Sequence, residues 1–86
     1  EEVQMLGALR GAKLARRVAS VRIADGQWAY VLRGGLELRV GSPTELALKL
    51  EIARRILRQT PVFGYLDVSV PERPVARNNP QVSSGG

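Results

Sequence analysis

The sequence predicts an α+β fold: a twisted, mainly antiparallel sheet of about four strands with helices packed on one face. Three observations in the 86 residues carry this. Asp25-Gly26 and Gly34-Gly35 are tight-turn pairs that separate runs of alternating apolar and polar residues. Between Leu46 and Leu57 the apolar residues fall instead at helical spacing. A last alternating run, Tyr65 to Val70, supplies another strand after that helix.

Glu1 to about Arg10 reads as a short helix. Its two leading glutamates favour the positive end of the helix dipole, and Met5, Leu6 and Leu9 form an apolar stripe. Gly11 is placed to stop it. Ala12 to Arg17 fits either a loop anchored by Leu14 or a continuation of the helix. The first strand, Val18 to Ala24, sets Val21 and Ile23 against Ser20 and Arg22. The second, Gln27 to Arg33, lines up Trp28, Tyr30 and Leu32 on one face. The third sets Leu36, Leu38 and Val40 against Glu37 and Arg39. This is an antiparallel meander with one buried face. Ser42 as N-cap, Pro43 at the first helical position and Glu45 two residues on spell a capping box for the main helix. Leu46, Leu50, Ala53, Ile56 and Leu57 face inward, Glu51, Arg54, Arg55 and Arg58 outward, and Thr60-Pro61 ends it. A strand follows from about Gly64 to Val70. Residues 1–77 make one domain, and residues 78–86, "NNPQVSSGG", read as a disordered tail.

Thirteen Lys and Arg against eight Asp and Glu give a net charge of +5. That balance suits nucleic acid or an anionic membrane surface. The charge is scattered, however: residues 1–41 hold seven basic and four acidic groups, residues 42–86 six and four. Without cysteine there is no disulfide or thiolate metal site, and without histidine no imidazole for zinc or acid–base chemistry. Asp25 belongs to a turn and Ser42 to a cap. Asp67 and Ser69 share a strand face with no base near them in sequence. The expectation is a non-enzymatic protein with no cofactor and no metal. Trp28 and Tyr30 are either core residues beneath the main helix or, in an alternative reading, the stacking platform of a basic nucleic-acid-binding domain. The lone Arg33-Gly34-Gly35 reads as a turn rather than an RNA-binding element.

The segment "YLDVSVPERPVARNNP" shapes the functional expectation. A terminal strand with no later strand to cover it belongs at a sheet edge. Pro71, Glu72, Arg73 and Pro74 then guard that edge, or else a partner adds a strand to Gly64–Val70 with Pro71–Arg77 as an extended arm that makes side-chain contacts beside it. Physics alone leaves both open.

The ordered run "VASVRIADGQWAYVLRGGLELRVGSPTELALKLEIARRIL…YLDVSVPERPVA" resembles the C-terminal β domain of the FtsQ/DivIB cell-division proteins, over roughly Leu14 to Arg77. The resemblance implies a divisome scaffold anchored in the cell membrane by a single span, with a POTRA domain preceding this domain on the extracytoplasmic (periplasmic) side at the division septum. The abrupt start "EEVQML" agrees with a piece of such a longer chain. The implied partners are proteins of the FtsB/DivIC and FtsL types, with no small-molecule substrate and no nucleic acid. The implied binding segment is Tyr65, Leu66, Asp67, Val68, Ser69 and Val70, followed by Pro71, Arg73, Pro74, Val75 and Ala76, engaged by strand addition.

Overall fold

The computed structural model describes residues 2–62 and 64–77. Residues 78–86, read from sequence as a disordered tail, lie outside the described residues. The elements are α1 (Glu2–Gly11), a 3-10 turn (Ala15–Arg17), β1 (Val18–Ala24), β2 (Gln27–Leu32), β3 (Glu37–Gly41), α2 (Leu46–Gln59), β4 (Tyr65–Asp67) and β5 (Val75–Arg77). The five strands form one sheet in the order β1-β2-β3-β4-β5. The meander β1–β3 is antiparallel, as expected, with Asp25 and Gly26 both at positive φ in its first turn. β4 lies parallel to β3, with Leu38 opposite Leu66, because α2 carries the chain back to the starting end of the sheet.

Both helices cover one face. Tyr30, Leu38, Val40, Leu66 and Val68 project from the sheet, and Met5, Leu9, Leu46, Leu50 and Ala53 meet them from the helices. Trp28 and Tyr30 are 4% and 0% exposed, and the Tyr30 hydroxyl donates to the Met5 carbonyl at 3.2 Å. That bond pins α1 to β2, and burial pushes the Tyr30 hydroxyl pKa up to about 12.

Three local expectations are corrected. Gly11 does not stop α1. The Leu14 amide donates to the Leu9 carbonyl at 2.9 Å and the Lys13 amide to the Arg10 carbonyl at 3.1 Å. This is a Schellman closure with Lys13, at φ 62°, in the left-handed position. Buried Leu14 locks that closure onto Leu9, so the reach of an apolar anchor decided the stop rather than the nearest glycine. Residues 12–14 are thus a loop anchored by Leu14.

Nor does the capping box form. α2 begins at Leu46, and Glu45 sits left-handed at φ 55° with no side-chain cap. A residue in that conformation interrupts the helix that Pro43 would otherwise begin. The reason is Lys49, 3% exposed, whose ammonium donates to the carbonyls of Val40 and Ser42, both at 3.0 Å. Holding those carbonyls toward the helix folds residues 42–45 into a turn.

The third correction matters most for function: β4 is not the edge. It ends at Asp67, whose Oδ1 accepts the Ser69 amide at 2.9 Å and the Ser69 hydroxyl at 2.6 Å. This Asx-type turn takes over the backbone donor that a longer strand would use. Pro71 and Glu72 then sit at the centre of a turn closed by the Arg73 amide on the Val70 carbonyl at 2.9 Å. The chain returns as β5, pairing Asp67 with Val75, Leu66 with Ala76 and Tyr65 with Arg77. Pro71 and Glu72 therefore reverse the chain instead of guarding a bare edge.

Candidate interaction edge

Of the residues expected to form a binding segment, the structure divides one group from the other. Leu66 and Val68 are wholly buried under the helices and have no surface to offer a partner. Asp67 and Ser69 are occupied with each other and with the turn. Tyr65 is half-buried, its ring 3.9 Å beneath the Arg39 guanidinium, a cation–π contact that stiffens it. These five residues position the edge. The surface is formed by those that follow: Val70 and Val75, 50% and 47% exposed, together with exposed Arg73, Pro74 and Ala76 and half-buried Pro71.

Arg77 belongs with them: it closes the arm expected from the sequence, though the resemblance does not name it. It is exposed, lies in β5, and its cross-strand neighbour is Tyr65. Three residues, Val75 to Arg77, carry too little alternation to announce a strand, and only the reversal at Pro71-Glu72 gives them a partner. β5 pairs with β4 on one side and is the last strand of the described sheet. Among the described residues no strand pairs with its outer backbone groups, the arrangement that invites another chain's strand.

The other edge is β1, longer but handled differently. Its register slips between Val18 and Ser20, a bulge that bends the pairing line, and Arg22 projects from its centre. Both features discourage strand addition there.

The face away from the helices is polar and internally paired. Glu37 accepts Arg22 at 3.1 Å through one oxygen and Arg39 at 2.9 Å through the other. On α2, Glu51 holds Arg54 in a two-pronged contact at 2.7 and 3.1 Å, and Arg55 at 3.2 Å. The hydrogen bond from Arg54 keeps the Glu51 carboxyl below the usual carboxylate range. Among the described residues no group of three or more metal-ligating side chains comes together, and no helix is long and apolar enough to cross a membrane.

The class that fold and site define is an α+β layer protein, helices on one face, with its C-terminal strand open at a sheet edge. No protein-family model matches the chain, and comparison with curated proteins and with solved structures gives no match.

Proposed function

We propose that this chain is a non-enzymatic interaction module of the bacterial cell-division complex, an FtsQ/DivIB-type β domain that binds an FtsB/DivIC-type partner, and with it an FtsL-type one, by strand addition. The full protein would be membrane-anchored, with this domain on the extracytoplasmic side at the septum. The observation that carries the reading is the open edge of β5, flanked by exposed Val70, Val75 and Arg77. A partner strand beside β5 gains main-chain hydrogen bonds for affinity, and the alternating side chains select its sequence. The motif order across Leu14–Arg77 supports the same reading from the sequence side. The nucleic-acid alternative lacks its main support, since Trp28 and Tyr30 lie in the core instead of on an open face.

The test is an NMR titration of the chain with the extracytoplasmic C-terminal segment of the FtsB/DivIC-type protein from the same organism. Shifts centred on Val70–Arg77, with new amide protection in β5, are expected. Silence with that segment, or shifts centred on β1, would refute the reading.

A further inference from the structure

The fold gathers cations that the sequence scatters. Arg16 and Arg17 lie in the 3-10 turn after α1, and Arg33 in the turn between β2 and β3. Two hydrogen bonds weld these segments together: the Arg33 amide to the Arg17 carbonyl at 2.7 Å, and Arg33 Nε to the Arg16 carbonyl at 2.9 Å. Three exposed guanidinium side chains thus spring from one junction. Among the described residues none of the three has a carboxylate within 4.0 Å, whereas Arg22, Arg39, Arg54 and Arg55 do. Asp25 and Glu45 stand at the opposite end of the meander, and Glu37, at this end, is already neutralised by Arg22 and Arg39, so the junction carries a local positive field.

The junction is also concave. Arg17 and Arg33 wall a hollow of about 230 Å³, with Gly34 at the rim and Leu32, Leu36 and half-buried Val62 within it. A hollow below the size of a drug-binding pocket fits one inserted side chain or its neighbour.

We propose that this junction is a second docking site, taking an acidic segment of a protein partner. A carboxylate is held between Arg17 and Arg33, and an adjacent aliphatic side chain enters the hollow. Arginine suits the task because its planar fork matches a carboxylate and cannot be deprotonated. A membrane surface is a poorer fit, because Leu32 and Leu36 are recessed and buried instead of protruding. Nucleic acid is poorer still: Trp28 and Tyr30 are in the core, and Tyr65 is covered by Arg39. The site is separate from the strand-addition edge. Three strand spacings, roughly 14 Å, lie between β2 and β5, so both surfaces can be filled at once.

The experiment is an NMR titration of the full chain, following arginine Nε–H and backbone amide signals. The probe is the capped peptide Gly-Glu-Leu-Glu-Leu-Gly, with its Glu-to-Gln counterpart, anionic phospholipid vesicles and a short DNA duplex as further arms. The expected result is shifts at Arg17, Arg33, Gly34 and Val62, weakened about tenfold for the Gln peptide, the loss of one charge-assisted contact. Arg17→Gln should weaken binding similarly while leaving the rest of the spectrum in place, since among the described residues its side chain makes no hydrogen bond. Arg33→Lys, which keeps the charge but loses both the fork and the Nε bond to the Arg16 carbonyl, should weaken it as well. Equal binding of both peptides, shifts spread over Arg58 and Arg73, or tighter engagement of vesicles or DNA by the same arginines would each overturn the proposal.

Discussion

Replacing Asp67 by Ala separates two roles for the same residue. If Asp67 were a contact residue, its loss would weaken partner binding and leave the domain as stable as before. The structure makes it a positioning residue, with Oδ1 accepting both the Ser69 amide and the Ser69 hydroxyl. A hydrogen bond to a charged group contributes roughly 1.5–3 kcal/mol. Asp67 and Ser69 are only half-buried, so the lower end applies. The two bonds share one oxygen and one turn, and their sum is therefore taken below additivity, at about 2 kcal/mol. At roughly 4–8 °C per kcal/mol for a domain of this size, the midpoint of thermal unfolding falls by about 8–16 °C. The damage is also local: without the turn, Pro71-Glu72 no longer delivers Val75–Arg77 to β4, and β5 amides should exchange with solvent faster than those of β2. Thermal unfolding followed by circular dichroism, with hydrogen exchange resolved by residue, measures both. Asp67→Asn, which keeps one acceptor without its charge, should fall between the two. A variant that unfolds with the parent, and whose β5 amides stay as protected, would refute the assignment of Asp67 to the turn.

Two substitutions test the end of α1. Gly11→Ala should stabilise by about 0.5–1 kcal/mol because Gly11 is helical with open space around it, and Lys13→Gly should stabilise by about 1 kcal/mol by relieving a left-handed lysine; denaturant midpoints that fall for both would restore Gly11 as the stop. Gly41→Ala should cost about 2–4 kcal/mol, since Gly41 has φ 68° and an added Cβ would lie 2.8 Å from that of Ser69; unchanged stability in urea would contradict that close approach. Tyr30 should make the fold base-labile. Its folded pKa, about 12, lies above the ordinary 10.0. The unfolded chain therefore loses the proton first, and about 3 kcal/mol of stability, whole below pH 10, disappears as pH rises toward 12. Tyr30→Phe should flatten that decline in an alkaline unfolding series, and an equally steep decline would assign it elsewhere.

Much of the architecture is legible in short-range pattern. Alternation at Leu36–Val40, the Asp25-Gly26 turn and the helical spacing from Leu46 to Leu57 each encode a local choice that the tertiary structure keeps. They also settle which face is buried, because an amphipathic strand or helix has one apolar side to hide. The residues that the resemblance names near the end of the chain are divided by burial: Leu66 and Val68 go to the core, Val70 and Val75 to the surface.

Short-range pattern thus encodes α1, β1 to β3, α2 and β4, and the buried faces of β2, β3 and α2, since propensity, turn chemistry and periodicity act between residues a few positions apart. The tertiary contacts decide where α1 ends and α2 begins, which strand is the sheet edge, and where the charge collects. Lys49 reaching the Val40 and Ser42 carbonyls displaced a sound capping box. Asp67 binding Ser69 turned three unremarkable residues, Val75 to Arg77, into a fifth strand. Arg33 binding the carbonyls of Arg16 and Arg17 joined cations sixteen and seventeen positions apart. Each is a hydrogen bond whose partner is chosen by proximity in the folded chain, and the energy it contributes is as large as the local preference it overrides.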